Sequence, residues 1–390
     1  MRSFGAVCAA CGKSLRLAAV VCVAAFLVTC CDAGGGDGDG QSGVADGWFA
    51  YVVDSKKDVG LYTSIALDGT GRIFISYYMF NIGYLDPDLS EVSYYVRYAY
   101  RDSGGWHVDT VSQAGFEAAD THIAVDSRGN PHINWCSSGA VYKDAVMYAV
   151  RSSGSWEIVA IEENTGTSEH YDTYLALDSR DNAHITYHCR GDLKYATNAS
   201  GKWRIYTIDA TDDDEGGHPA LAFDPEGNIH MCYWSSTRGD LMYATNAYGD
   251  WEIFTVDSDG EVGKYADIAV DSHGFAHISY FDLTNAHLKY ATNAGGFWSI
   301  FVPDDSYGAG MFTSIAVAPD DSVHIAYFDG RNSVLKYATN AYGDWTVLTI
   351  DSRGNTGLFP SIAVDSSGCV HISYMNDSTD DLMYATNCLP

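Results

Sequence analysis

The chain has 390 residues, 46% of them hydrophobic and 13% aromatic, a composition that supports a large buried core and excludes a disordered or collagen-like chain. With 51 Asp and Glu against 22 Lys and Arg the formal net charge is -29, so a nonspecific grip on phosphate backbones is excluded and no nucleic-acid partner is expected. After residue 40 no apolar run reaches the roughly 18 residues of a membrane-spanning helix.

Arg2, Lys13 and Arg16 precede an apolar run from Leu17 to Val28, which has the length of a secretory core segment, so residues 1–30 read as a signal peptide. Leu27-Val28-Thr29-Cys30 resembles a bacterial lipobox, and the resemblance implies acylation of Cys30 and anchoring to a bacterial membrane through lipid alone. The alternative is ordinary cleavage after Ala33 and secretion. Residues 31–47 are rich in Gly and Asp and read as a flexible tether.

Beyond it one unit recurs, about every 47 residues in the C-terminal half, marked by Trp48, Trp106, Trp156, Trp203, Trp251, Trp298 and Trp345. Each unit carries an S-I-A-V-D block (Ser361 to Asp365), an H-I-S-Y block (His277 to Tyr280), an L-K-Y-A-T-N block (Leu193 to Asn198) and a W-x-I-x-T-I-D block (Trp203 to Asp209). All four alternate in polarity and favour β-branched and aromatic residues, so they read as strands A, B, C and D. D-S-x-G between A and B and N-A-x-G between C and D are tight-hairpin chemistry. Seven such units specify an all-β, seven-bladed β-propeller over residues 48–390, because each small sheet can bury its faces only against its neighbours. The region opens on a D block, Trp48 to Val53, and closes on a C block, Leu382 to Asn387. The N-terminal strand is therefore expected to complete the last blade as its outer strand.

The C-D hairpin Thr245-Asn246-Ala247-Tyr248-Gly249-Asp250-Trp251 resembles the Asp-box, or bacterial neuraminidase repeat, of pattern S/T-x-D-x-G-x-x-W. Asn follows Thr directly here, and Gly and Trp stand one residue closer. The whole unit is also similar to repeats in exported bacterial proteins. These resemblances imply a propeller in the sialidase-like superfamily, and a fold does not bring an activity with it. Sialidases use three strand-borne Arg on the substrate carboxylate. Here Arg72, Arg128 and Arg180 fall in turns on the opposite face and no F-R-I-P motif occurs, so sialidase activity is not expected.

Residues common to all copies are explained by packing. His132, His184, His230, His277, His324 and His371, one in each blade after the first, which has Phe74 there, read as hydrogen-bonded structural groups. Function is sought where the copies differ. The A-B and C-D turns are uniform and share one side, the turn face. The D-A and B-C connections vary and share the other, the loop face, so the site is expected there, at the mouth of the channel. Tyr62, Tyr265, Phe312 and Phe359 occupy matching positions before strand A, with His218 in blade 4 and Tyr171 and Tyr174 near it in blade 3. With Arg238 and Arg331 these form the candidate binding set, though the aromatics equally suit packing between blades. Asp212, Asp213, Asp214 and Glu215 are a candidate Ca²⁺ loop without the alternating ligand spacing of an EF-hand, and no other cofactor is expected. Asp282, Asp329 and Asp377 add acid to B-C loops, the longest of which, Tyr78 to Tyr94, carries Tyr84, Asp86 and Asp88.

His188 and Arg190, with His170 and Tyr171, look like the set of a propeller polysaccharide lyase, Arg neutralising a sugar carboxylate while His or Tyr abstracts a proton. The leading expectation is a monomeric, surface-tethered propeller that binds a glycan or protein, with a lyase-like carbohydrate-active enzyme as the alternative and catalysis left open. Cys369 starts strand B and Cys388 follows strand C of the same blade, so antiparallel pairing places them within disulfide reach. Cys232 is expected free, and Cys136 and Cys189 lie one residue out of register in adjacent blades.

Overall fold

A computed structural model describes residues 42–56, 58–81, 93–115, 117–138, 145–163, 172–211 and 215–388. The signal segment, Cys30, linker residues 31–41, Tyr84, Asp86, Asp88, His170, Tyr171 and Asp212 to Asp214 lie outside the described residues.

The described residues contain no helix and form seven blades of four antiparallel strands in a ring. Blades 1 to 6 span 59–115, 117–163, 173–209, 215–257, 262–304 and 309–351, and blade 7 joins 356–386 to the N-terminal strand Phe49–Asp54. That strand pairs with Asp381–Thr386, Phe49 opposite Thr386 and Tyr51 opposite Tyr384, so the ring closes through its own N-terminus as the block order implies. Upstream, Val44 bridges Asp351 on the outer edge of blade 6, and Ala45 N donates to Ile350 O at 3.0 Å. Within the stretch read as a tether, residues 43–45 are thus held against the ring.

Within a blade the repeated histidine joins strands B and C to the A-B turn. His277 Nδ1 lies 2.6 Å from the Tyr290 hydroxyl on strand C, and its Nε2 lies 3.2 Å from Asp271 in the A-B turn. The same pairing recurs at His184 with Tyr195 and at His371 with Tyr384, which makes these histidines structural groups. The Asn of the C-D turn also has a fixed task. Asn246 Oδ1 accepts Ile229 N at 2.7 Å and Asn293 Oδ1 accepts Ala276 N at 2.8 Å, tying the end of strand C to the start of strand B.

Between blades two contacts repeat. Trp298 meets Tyr243 of the preceding blade edge-on at 5.0 Å, as Trp345 meets Tyr290 and Trp48 meets Tyr337. The last Asp of strand D then accepts from the Tyr of H-I-S-Y in the next blade: Tyr280 donates to Asp257 and Tyr327 to Asp304, both at 2.7 Å. Lys289 and Lys336 reach the same carboxylates, at 3.0 and 2.7 Å, and also pair with the buried Asp282 and Asp329. Burial alone would raise the Asp282 carboxyl, but bonds from Asn285 and Lys289 outweigh it and hold the pKa below the usual value. These two loop acids belong to the packing, and Asp377 accepts from Asn355 at 2.9 Å. Cys369 and Cys388 form a disulfide with Cα atoms 5.7 Å apart, while Cys136, Cys189 and Cys232 are buried thiols.

Candidate functional site

Strand A lines the central channel, and near its loop-face end a β-bulge re-aims one side chain in each of blades 1, 2, 4, 5, 6 and 7. In blade 5 Lys264 pairs with Phe281 and Asp267 with Ser279, so Tyr265 and Ala266 together oppose a single residue. Tyr265 has φ 55°, and left-handed backbone recurs at Tyr62, Asp120, His218, Phe312 and Phe359. Such backbone costs a non-glycine residue about 1–2 kcal/mol, and a neighbour holds it in place. Thr313 donates to Tyr265 O at 2.7 Å, Thr121 to Tyr62 O at 3.0 Å and Thr63 to Phe359 O at 2.9 Å, each Thr belonging to the next blade.

The re-aimed side chains form a circle at the channel mouth. Ring centroids are 4.4 Å apart for Tyr62 and Phe359, 4.7 Å for Phe359 and Phe312, 4.5 Å for Phe312 and Tyr265, and 4.7 Å for Tyr265 and His218. His218 then meets Asp172, its backbone N donating to Oδ2 at 2.8 Å and its Nδ1 lying 3.3 Å away. Asp172 and Asp120 hold the equivalent positions in blades 3 and 2, and Asp120 Oδ2 accepts Thr173 N at 3.0 Å. Burial first, and then the Asp120 and Asp172 carboxylates, push the Tyr62 phenol up. Burial and then Asp172 push Tyr265 up to about 12. Both carboxylates therefore act on the same centre as the aromatics.

One layer deeper Ser64, Ser314 and Ser361 accept the backbone N of Ile123, Ile362 and Ile65 in neighbouring blades, at 3.1–3.2 Å. Blade 5 replaces this Ser with the buried Asp267, which takes the same role toward Ile315 N at 2.9 Å. Blades 2 and 3 replace it with His122 and Tyr174, whose rings lie 4.3 Å apart. His122 Nε2 is 3.5 Å from Asp120 Oδ1, and burial first, and then the Asp267 carboxylate, push the Tyr174 phenol up. Toward the turn face the channel holds a cavity of about 440 Å³ walled by Ala66, Ala124, Ala176, Ala222 and Ala269.

The mouth has two halves. Blades 6, 7 and 1 give an apolar half, in which Phe328, Leu358, Phe359 and Met375 pack with Leu61, Tyr62, Met311 and Phe312. Blades 2 to 4 give a polar half with Asp120, His122, Asp172 and His218. At its edge Lys264 Nζ lies 4.3 Å over the Trp234 ring, and burial lowers its pKa.

Of the candidate binding set, Tyr62, His218, Tyr265, Phe312 and Phe359 come together in this circle. Arg238 is engaged elsewhere: its Nη2 donates to Glu215 Oε1 at 3.2 Å and to Thr211 Oγ1 at 3.3 Å. Glu215 is fully buried, faces Arg238, accepts Ser235 Oγ at 2.8 Å, and is pushed up by burial. Arg331 is exposed beside the Asp329 turn, its N donating to Asp329 Oδ1 at 3.1 Å. His188 is buried in strand B, its N donating to Asp172 O at 3.2 Å, whereas Arg190 is exposed in the following turn. Asp120, Asp172 and His122 belong to the site although the sequence reading did not single them out. On the turn face Asp271, His273 and Asp321 lie close together, but their carboxylates accept bonds from Ser272, His273 N and Phe275 N.

No family model matches the chain, and no curated protein matches it. Solved structures do. A lectin from Burkholderia pseudomallei aligns with TM-score 0.59 and 13% identity over 84% of this chain and 97% of its own. An ulvan lyase, described as a new family of polysaccharide lyase, aligns with TM-score 0.55 and 13% identity over 86% of this chain and 95% of its own. The Aleuria aurantia lectin, solved with a fucosyl-GlcNAc ligand, aligns with TM-score 0.50 and 12% identity over 76% of this chain and 98% of its own. At such identities the likeness establishes the β-propeller fold alone. Propellers of this shape include lectins and a polysaccharide lyase.

Proposed function

We propose that the loop-face mouth binds a glycan and does not turn it over. The observation that carries this reading is the division of the circle. Contiguous aromatic faces at Tyr62, Phe359, Phe312 and Tyr265 suit the C–H faces of a sugar ring. Asp120, Asp172 and His218 opposite them suit its hydroxyls. Two carboxylates at the centre repel an acidic sugar, so the favoured ligand is a neutral one. The lectin likenesses are consistent with this reading.

A lyase reading draws support from His122 and His218, each beside a carboxylate, and from the phenols of Tyr62 and Tyr174. It needs a cation for a uronate carboxylate, and Arg238 is paired with Glu215. Glycan-array binding of the purified protein, with no rise in 235 nm absorbance on uronate polymers, supports the binding reading. A rise that disappears in His122→Ala or His188→Ala overturns it. For localisation we propose export and anchoring through Cys30. The N-terminal segment supports this, as does the Cys369–Cys388 bond, which suits an oxidising compartment.

A further inference from the structure

The C-D hairpins provide their own internal control. In blades 1, 2 and 3 the tip residue three before the repeat Trp is an exposed serine: Ser103, Ser153 and Ser200. Blades 4 and 6 put Tyr248 and Tyr342 at that position, and blade 5 puts Phe297 directly before its Trp. The three aromatics are 72%, 84% and 83% exposed.

The turn does not require them. Gly201 N donates to Asn198 O at 2.8 Å in the serine-tipped blade 3, and the same bond forms in blades 4, 5 and 6 at 3.0, 2.9 and 2.9 Å. Three large rings held in water on the hairpins of consecutive blades therefore gain nothing from folding, which leaves their faces open to a ligand.

The occupant follows from charge and repetition. Exposed carboxylates, Asp250 and Asp344, stand two residues after Tyr248 and Tyr342, on a chain of net charge -29. That excludes nucleic acid, anionic lipid and uronate polymers. A ring with a neighbouring carboxylate suits a neutral sugar, stacking on its C–H face and accepting from its hydroxyls. Successive tips belong to successive blades, so one ligand touching all three must itself be long and repeating.

We infer that the turn-face rim of blades 4 to 6 binds a neutral polysaccharide chain through Tyr248, Phe297 and Tyr342. This site is separate from the loop-face mouth and does not depend on it. Three weak contacts on one polymer add as linked sites do, so affinity is expected to rise with chain length.

The test is co-sedimentation with insoluble cellulose, chitin and β-1,3-glucan. It compares the protein with the triple variant Tyr248→Ser, Phe297→Ser, Tyr342→Ser; the two Tyr changes install the tip serine of blades 1 to 3, and Phe297→Ser installs the residue that blade 2 carries directly before its Trp, Ser155. The expected result is retention of the unaltered protein on at least one polymer, a loss of about tenfold or more in the triple variant, and unchanged thermal unfolding. The variant Asp120→Asn, Asp172→Asn should sediment normally while losing short oligosaccharides, which keeps the two sites distinguishable. Equal sedimentation of the triple variant, or no retention on any polymer, overturns the inference. So does a self-association in sedimentation velocity that the triple variant abolishes, since the tips would then meet a second copy.

Discussion

The Tyr77 hydroxyl donates a 2.7 Å hydrogen bond to Oδ2 of Asp54, and this bond ties the N-terminal strand of blade 7 to blade 1. Arg97 Nη2 lies 3.4 Å from the same oxygen, taking the place that Lys289 and Lys336 hold in blades 5 and 6. Asp54 is thus the closing member of a series that runs round the ring.

Asp54→Ala should leave Arg97, only 6% exposed, and the buried Tyr77 without their carboxylate. Stranding one partner of a buried pair costs about 3–5 kcal/mol. Urea unfolding is expected to show a loss of that order, and Asp46→Ala serves as an exposed control. A loss under about 1 kcal/mol would mean that this contact does not help close the ring.

Stability should fall with acid in two stages. Burial lowers the pKa of His132, His184, His230, His277, His324 and His371. Below the unfolded value of roughly 6.5 the unfolded chain then binds more protons than the folded one, so stability drops as pH falls from there. At Asp68 and Asp126 burial alone would raise the carboxyl, but bonds from Thr70 and Arg72, and from Asn130 and Arg128, outweigh it and hold both at about 2. Their contribution is complete above roughly pH 4 and is lost toward about pH 2. Melting temperature against pH should be flat near neutrality, decline below about 6.5 and decline further below about 4. A profile flat down to pH 5 would contradict the buried neutral histidines.

The Cys369–Cys388 bond fastens strand B to the end of strand C in the blade that the N-terminal strand completes. Cys388→Ser should cost about 2–4 kcal/mol. Burial raises the thiols of Cys136, Cys189 and Cys232, so a protein beginning at residue 42 should show no reactive thiol when native and three in denaturant. Recovery of Cys388 as a free thiol after oxidative export would count against the bridge.

The fold was legible because its contacts repeat with the chain. Trp298 against Tyr243 and Tyr280 on Asp257 are single events copied round the ring, so each left a periodic trace. The aromatics of the mouth were legible for the same reason, since Tyr62, Tyr265, Phe312 and Phe359 share one repeat position. Asp120 and Asp172 occupy that position too, but a search for aromatics passes over them, and only the bonds from Thr173 N to Asp120 and from His218 N to Asp172 show that they reach the same centre. Arg238 and Glu215 each looked like a ligand-binding group. Their mutual pairing arises where a D-A loop and a B-C loop meet, and among the described residues no other blade puts an ion pair there, so it leaves no periodic sign.

The mouth itself gives the last prediction. Phe312 touches Tyr265 and Phe359, and its ring is only partly buried, so Phe312→Ala should open a gap in the aromatic half while leaving the Thr313 bond to Tyr265 O in place. If the circle stacks on a sugar, removing one ring at its middle should weaken glycan binding by about tenfold or more, the usual effect of losing a central aromatic anchor. Asp172→Asn keeps the shape, removes a charge and alters the partner of His218. It should weaken binding of a neutral glycan and relax discrimination against acidic ones, because a carboxylate no longer faces the ligand. Titration calorimetry with the best array ligand measures both effects. Unchanged affinity in both variants would place the binding site outside the circle.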